Sequence, residues 1–428
     1  MSLRFGFNSV VVISSASLAK EVMKTQDLSF CDRPSSVIGQ QKLSYGGLDI
    51  AFSPYNEHWR EMRKIFVLHL FSPKRVQSFR RIREDEISSM LKTIRDSALS
   101  NDVVNLSELM KNVTNNVTMR VSFGDRYQDL CEKTKVYQLL DELQPHFVNL
   151  LVSDQLIDEH LMINNQKHKA YHEDEDNFID VLLQLGKDKV FSCTHDHIKA
   201  MLMPSALAGL TFHSLTVSMF DGKNVLVGGT DTSAASVVWA MASMVKNPEA
   251  MKKAQEEVRN VIGKNGKLDE DDHLPKLTYL KAVIKETLRL YPPAPLLMPR
   301  ETRKDVVLQG YNIKQKTFVY VNAWAIGRDP KSWDNPEEFL PERFVDGSCD
   351  IDFKGNDFEL IPFGSGRRIC PGMSAGVLMM EVLLANLLYL FDWGLPNGVT
   401  KEDIDFDAKP GITMHKRNEL CMLAHVNI

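Results

Sequence analysis

Hydrophobic residues recur at three- and four-residue intervals along much of this chain, a spacing that places them on one face of an α-helix. The pattern is clearest over Ile82–Arg95, Met251–Val261 and Tyr279–Leu290. Asn247 and Pro248 mark a helix start, because proline is favoured in the first helical turn. The chain is therefore predicted to be mainly α.

Strand signals are fewer and shorter. Val10–Ile13 is one short apolar run that predicts a strand. Val306–Leu308 and Phe318–Val321 are predicted to form a hairpin around a turn over Gly310–Lys316. The expected architecture is a helical body with a small β-sheet annex.

The long apolar stretch Val377–Phe391 contains the polar residues Glu381 and Asn386. We expect a buried core helix there. No signal peptide or membrane span is predicted at the N-terminus.

Composition describes a globular chain: of 428 residues, 43% are hydrophobic and 25% charged. The formal charge of −5 gives no indication of nucleic-acid binding. Six cysteines without C-x-x-C spacing argue against a disulfide scaffold and fit a reducing compartment. They are Cys31, Cys131, Cys193, Cys349, Cys370 and Cys421.

The segment Phe363–Gly372 (FGSGRRICPG) carries the most informative chemistry. A thiolate at Cys370 would lie before a helix whose first N–H groups favour an anion. Glycines let the backbone approach a flat ligand, and Arg368 supplies a cation for an acidic group on it. Taken alone, the segment is also compatible with a glycine-rich turn in which Cys370 is a small hydrophobe.

Three further patterns gain meaning only in combination. In Val227–Ser233 (VGGTDTS), two glycines open a groove beside a helix, and the acid–alcohol pair Asp231 and Thr232 could relay protons. A surface loop is the alternative. Glu286 and Arg289, like Trp59 and Arg63, share one helix face, as ordinary surface pairs also do. The candidate residues in these three patterns are Trp59, Arg63, Asp231, Thr232, Glu286 and Arg289.

The pattern F-x-x-G-x-R-x-C-x-G at residues 363–372 resembles the cytochrome P450 family, with five fixed positions matched. That resemblance implies the P450 fold and haem b with Cys370 as the thiolate ligand of the iron. The glycine-rich motif at 227–233, the Glu-x-x-Arg pair and the Pro-Glu-Arg-Phe segment around Arg343 occur in the same order as in the family. The resemblance assigns proton relay to Asp231 and Thr232, and a buried ionic network to Glu286, Arg289 and Arg343. It assigns haem binding to Trp59, Arg63, Arg300, Phe363, Arg368 and Cys370.

The form of these motifs most resembles plant microsomal P450s, which implies a monooxygenase inserting one atom of O2 into an apolar small molecule. Electrons would come from NADPH–cytochrome P450 reductase, with cytochrome b5 as a further partner. Arg60, Lys64 and Arg367 are either part of a basic face that docks the acidic reductase or ordinary solvated surface residues. The cytosolic face of the endoplasmic reticulum membrane is the expected location. The alternatives are a reductase-independent haem-thiolate isomerase or dehydratase, and a catalytically impaired haem-binding product of a defective gene model.

The chain also departs from the family pattern. We expect one P450 domain over 1–428 that lacks the N-terminal anchor, although Met1–Gly6 resembles the first sheet strand. The lid region near 150–160 is expected to be shortened, and 204–223 to be an atypical insert, interpreted as a retained intron. Substrate contacts are expected from Ser44–Phe52, Leu226–Ser233, Ala294–Met298 and Gly411–Thr413.

Overall fold

In this computed structural model the described residues are 1–5, 8–34, 47–124, 225–264, 266–345 and 349–427. The predicted mainly α architecture with a small sheet annex is confirmed. The α-helices, numbered in chain order, are α1 (Ala16–Lys20), α2 (Asp27–Phe30), α3 (Glu57–Ile65), α4 (Pro73–Ser78), α5 (Arg80–Ser100), α6 (Leu106–Phe123), α7 (Val225–Lys246), α8 (Pro248–Ile262), α9 (Thr278–Leu290), α10 (Ala323–Ile326) and α11 (Met373–Leu390).

The strands are short and lie mostly in the N-terminal and C-terminal parts of the chain. They are β1 (Ser2–Phe5), β2 (Asn8–Ile13), β3 (Val104–Asn105), β4 (Arg300–Glu301), β5 (Val306–Leu308), β6 (Tyr311–Ile313), β7 (Phe318–Val321), β8 (Phe391–Gly394) and β9 (Cys421–Val426).

The chain divides into two compact units. The first comprises Met1–Cys31, Asp85–Thr114 and Asp231–Ile428. The second comprises Asp32–Glu84 and Asn115–Thr230.

The three helices with the clearest periodicity are present and run slightly beyond their predicted ends, as α5, α8 and α9. Pro248 is the first residue of α8 and Asn247 precedes it, as predicted. Helix α9 ends at Leu290, just before the prolines that cannot continue it.

The predicted hairpin between Val306–Leu308 and Phe318–Val321 is wrong. Strand β5 pairs instead with β6, whose register begins at Leu308 opposite Tyr311. Strand β7 is one of the two interior strands of a four-stranded sheet in the order β1-β2-β7-β4. It pairs in parallel with β2, from Val10 opposite Phe318 to Ile13 opposite Val321. All four β7 residues are buried, so the strand is stabilised by neighbours on both sides rather than by the nearest turn.

Helix α11 is the only described helix that is long and apolar enough to cross a membrane by length and composition. It packs against α8 and α9 in the first unit, and Leu383, Leu384, Leu387 and Leu388 are fully buried. Its apolar surface is thus used within the protein, as the core-helix prediction required.

A core cluster in the first unit holds the segment 19–30 in place. Phe30 is fully buried with Met23 against Val319 and Val321 of β7 and against Phe358. Burying one phenylalanine contributes about 1.5–3 kcal/mol. Residues 19–30 are therefore held firmly against the sheet and the chain that precedes Cys370.

Two predicted departures, the shortened lid near 150–160 and the insert at 204–223, lie outside the described residues. So does Ser44, at the start of one expected substrate-contact loop.

Candidate functional site

The loop that carries Cys370 is shaped by glycines and closed by main-chain hydrogen bonds. Gly364 and Gly366 both have a φ of 71°, in the left-handed region that favours glycine. A Cβ on Gly366 would overlap the carbonyl oxygen of Met23, so the close approach requires glycine. The Cys370 N–H donates to the carbonyl of Phe363 at 3.0 Å. We call residues 363–370 the thiolate loop.

Cys370 itself is exposed at the end of this loop, and α11 begins three residues later at Met373. The first residues of α11 are only partly buried, whereas those from Met379 onward are mostly buried. The expectation of a cysteine just before a helix N-terminus is met, and the alternative of Cys370 as a buried small hydrophobe is not.

Two arginines predicted to bind the haem stabilise the thiolate loop, Arg368 as one of its own residues and Arg300 from strand β4. Arg368 is buried, and its Nε donates to the carbonyl of Cys31 at 2.9 Å. Arg300, in β4, is also buried, and its Nη2 donates to the carbonyl of Ser365 at 3.1 Å. Burial lowers the pKa of the Arg300 guanidinium, and the charge of Asp27 opposes that shift.

Asp27, the first residue of α2, was not foreseen in the sequence. Its Oδ1 accepts from Nη1 of Arg300 at 3.0 Å, and its Oδ2 accepts from Nη1 of Arg367 at 3.0 Å. Oδ2 also accepts from the main-chain N–H of Arg367 at 3.1 Å. We call Asp27, Arg300 and Arg367 the loop cluster. No sequence motif marks Asp27, because its partners are 273 and 340 residues away.

Glu286, Arg289 and Arg343 form a second ionic cluster in the same unit, here called the helix cluster. Both Glu286 oxygens accept from Arg289 at 2.7 Å, and Oε1 also accepts from Nε of Arg343 at 3.0 Å. The Glu286 and Arg289 side chains are fully buried, and that of Arg343 is 12% exposed. Arg289 donates further to the carbonyls of residues 327, 336 and 338. Its donors are thus well satisfied.

In the second unit, α3 presents Trp59 and Arg63 on one face, as their spacing predicted. Asn56 caps the helix by accepting from the Trp59 N–H at 2.8 Å. The Arg63 guanidinium lies 5.6 Å from the Trp59 ring centre. The indole N–H of Trp59, expected to contact a haem propionate, donates to the carbonyl of Ile50 at 2.9 Å.

The glycine-rich motif at 227–233 is helical rather than a surface loop, because α7 runs without a break from Val225 to Lys246. Open space surrounds the Cβ position of Gly228, whereas Gly229 faces Thr118. The main-chain carbonyl of Thr232 accepts from Oγ of Ser236 at 2.8 Å, a side-chain bond that competes with the helical ladder.

Asp231 has a partner that the sequence did not reveal. Its Oδ1 lies 2.8 Å from Nε2 of His415, and both side chains are partly exposed. His415 is two residues beyond the Gly411–Thr413 segment that was expected to face substrate. This places Asp231 beside that segment, with the imidazole of His415 against its carboxyl group.

The residues of the first unit fit haem with a single protein ligand. Cys370 is exposed, and the glycines of its loop permit close backbone approach. Arg300 and Arg368 supply buried cations suited to acidic groups. Within the described residues, no three His, Cys, Asp or Glu side chains cluster to hold a bare metal ion. Cys370 would hold the iron, and these arginines would face the propionates.

Comparison with known proteins identifies relatives over nearly the whole chain. The family profile described as Cytochrome P450 matches residues 1–422. "Cytochrome P450 71A1" of Persea americana is 44% identical over 99% of this chain and 86% of the relative. "6,7,8-trihydroxycoumarin synthase" of Pastinaca sativa is also 44% identical, over 98% of this chain and 84% of its own length.

Solved structures show the same fold at lower sequence identity. A zebra fish cytochrome P450 with progesterone superposes with a TM-score of 0.79 at 24% identity, covering 99% of this chain and 96% of that one. A second zebra fish structure, with abiraterone, gives a TM-score of 0.77 at 23% identity, covering 100% of this chain and 95% of that one.

Proposed function

Because the chain belongs to the cytochrome P450 family, we propose specific roles for the residues of its two units. The protein is a haem-thiolate monooxygenase of the plant specialised-metabolism type, with haem b as its cofactor. Cys370 is the proposed thiolate ligand. The observation that carries this assignment is the exposure of Cys370 at the end of a glycine-rich loop that two buried arginines stabilise.

Haem, when bound, supplies the iron chemistry that activates dioxygen for insertion into the substrate. The chain's own residues bind, orient and deliver protons. Arg300, Arg368, Trp59 and Arg63 are the proposed contacts for the haem edge, with Phe363 packing beside it.

Proton delivery is proposed for Asp231 and Thr232 in α7. The 2.8 Å contact with His415 limits the orientations of the Asp231 carboxylate, and the Thr232 hydroxyl is the next group along the chain. A carboxyl and an alcohol in sequence can pass a proton inward without an open water channel. This pair favours monooxygenation over a reductase-independent isomerisation or dehydration, which needs no such delivery.

We propose an oxygenated aromatic compound of the coumarin type as the substrate class. Two relatives support it by name, the 6,7,8-trihydroxycoumarin synthase and the 5-OH-xanthotoxin synthase of Pastinaca sativa, the latter 43% identical. The exposed Leu296 in Ala294–Met298 offers an apolar contact for such a ring.

The family generally takes electrons from a redox partner. NADPH–cytochrome P450 reductase is the proposed donor, with cytochrome b5 as a second, at the cytosolic face of the endoplasmic reticulum. Exposed cations support docking of an acidic partner on each unit: Arg367 on the first, and Arg60 and Lys64 on the second.

The deciding experiment is the absorption spectrum of the dithionite-reduced protein under carbon monoxide. The wild type and Cys349→Ala should show the strongly red-shifted Soret band of a thiolate-ligated ferrous carbonyl, and Cys370→Ala should lose it. Cys349 is a suitable control because it is a partly exposed cysteine in the same unit. A red-shifted band retained in Cys370→Ala would refute the ligand assignment.

Turnover then tests the reaction class. With reductase, NADPH and a coumarin, hydroxylated product should form only when NADPH is present. Thr232→Ala should lower product formed per NADPH by about 10²-fold, whereas the neighbouring Ser233→Ala should not. Product formation independent of NADPH would favour the isomerase or dehydratase instead.

A further inference from the structure

The short segment Met23–Cys31 contacts the centre of the thiolate loop, from Gly366 to Arg368. The carbonyl of Met23 occupies the space beside Gly366, and the carbonyl of Cys31 accepts from Arg368. Between them, the Asp27 carboxylate accepts from the main chain and side chain of Arg367. Three successive loop residues are therefore fixed by one segment.

Asp27 directs its carboxylate away from its own helix. An acidic residue in a first helical turn ordinarily serves the exposed amides of that helix. Here both oxygens are used by residues of β4 and of the thiolate loop, and the side chain is only 2% exposed. Such charge-assisted hydrogen bonds are the strong ones, so the arrangement is well defined.

Asp27 also connects the loop to Arg300. Arg300 donates to Asp27 with Nη1 and to the Ser365 carbonyl with Nη2. The guanidinium is planar and rigid, so two such bonds fix its orientation as well as its position. A single carboxylate thus sets the position of the loop and of a predicted propionate contact together.

The charge of Asp27 matters as much as its geometry. Arg300 is 4% exposed and keeps its charge, because an arginine does not lose its proton in proteins. Asp27 is the acidic group hydrogen-bonded to it. Without that carboxylate, an uncompensated positive charge would remain buried beside the haem-binding loop.

We propose that Asp27 is a positioning residue of the haem site, which holds Arg300 and the thiolate loop in register and offsets the charge of Arg300. The proposal rests on the proposed roles of Cys370 and Arg300. It assigns to Asp27 an influence on both the thiolate bond to iron and the iron reduction potential, although Asp27 is not itself expected to touch the haem.

The test compares Asp27→Asn with Asp305→Asn in the haem-loaded protein. Asp305 is the surface control: like Asp27 it accepts from a cationic side chain, that of Lys314, and from a main-chain N–H, that of Gln315, but it is exposed and does not contact the thiolate loop. The readouts are the ferric/ferrous reduction potential and the fraction of ferrous carbonyl that shows the red-shifted, thiolate-ligated band.

Asp27→Asn should move the potential in the positive direction, since a buried negative charge near the iron is removed. It should also raise the displaced-thiolate fraction several-fold, because an amide cannot accept from both arginines as a carboxylate does. Asp305→Asn should change neither. Asp27→Glu, which keeps the charge, should retain a near wild-type potential.

An Asp27→Asn protein with wild-type potential and carbonyl spectrum would overturn the proposal. If Asp27→Asn binds no haem, circular dichroism of the apoprotein decides: unchanged helical signal supports a role at the haem site, and lost signal overturns it in favour of a general folding role. A wild type without the red-shifted band would instead refute the haem assignment itself.

Discussion

The helix cluster and the loop cluster are each built from one carboxylate and two arginines, yet they are assembled differently. Glu286 and Arg289 are three residues apart on α9, and Arg343 follows 57 residues after Glu286. Asp27 meets partners 273 and 340 residues away. The first cluster is largely local and the second joins distant parts of the chain.

The two clusters also differ in how completely their arginines are engaged. Arg289 is fully buried and bonded by Glu286 and three main-chain carbonyls. Arg367, in contrast, is 43% exposed. Removing the carboxylate of a fully buried cluster leaves unpaired charge in the interior, whereas a partly exposed arginine can still be solvated by water. We infer that the helix cluster governs folding and the loop cluster tunes the site.

The largest expected effect is on the helix cluster. Glu286→Gln would leave two guanidinium groups without their carboxylate, which should destabilise the protein by about 3–5 kcal/mol. Little soluble, haem-loaded protein is expected, and urea unfolding of any recovered protein would measure the loss. If Glu286→Gln had the same free energy of unfolding as the wild type, the helix cluster would not have the folding role that distinguishes it from the loop cluster.

Glu381→Gln in α11 is the matched control for that substitution. Burial raises the pKa of the Glu381 carboxyl from its ordinary value of 4.5, with Lys281 opposing the shift. The folded state thus favours the protonated form, so ionisation costs stability as pH rises above that value and through the raised folded pKa. At neutral pH, Glu381→Gln should leave stability unchanged or slightly higher.

A smaller effect is expected from the loop cluster, where the informative quantity is the coupling free energy between Asp27 and Arg300. Asp27→Asn and Arg300→Gln should each destabilise the protein, and the double variant should be more stable than the sum predicts, by about 1–3 kcal/mol. The double-mutant cycle is measured by urea unfolding. Additive effects would mean that the 3.0 Å contact between them contributes little.

Arg343→Ala should have an intermediate effect within the helix cluster. Glu286 would still accept from Arg289 and from the main-chain N–H of Leu340, so no charge is left alone. A loss of about 1.5–3 kcal/mol is expected from the missing charged hydrogen bonds. Thermal unfolding would test this, and a loss as large as that of Glu286→Gln would contradict it.

The smallest effect is expected just outside the helix cluster, at the ion pair of Lys253 and Glu342. Both side chains are about half exposed at a separation of 2.7 Å. Exposed pairs contribute little, so Lys253→Ala should change the melting temperature by less than about 2 °C. A larger change that vanishes at high salt would show that the cluster extends to the surface.

Much of the fold could be predicted because helical periodicity is local. Helices α5, α8 and α9 were recognised from spacing alone, and the Glu286–Arg289 pair from residues one turn apart. Asp27 could not be found in this way, since nothing near it in the chain indicates a partner in β4 or the thiolate loop. Likewise, nothing in the motif at 227–233 indicates that His415 would meet Asp231.

The hairpin error has the same physical origin. The turn at Gln309 and Gly310 is real, with φ values of 46° and 81°, but it joins β5 to the three-residue β6. The continuous apolar run Phe318–Val321 is typical of an interior strand with neighbours on both sides. The sequence therefore indicated an interior strand, but the prediction paired Phe318–Val321 with Val306–Leu308 because the two runs are close along the chain.

The parallel pairing of β2 with β7 has a consequence for how the chain is made. Val10–Ile13 leaves the ribosome early, and its partner Phe318–Val321 follows roughly 300 residues later, which takes about 15–60 s at ordinary elongation rates. Throughout that interval β2 can pair only with β1, and its other edge has no strand to join. The nascent protein should therefore depend on chaperones until β7 emerges, and slower translation should lower its yield.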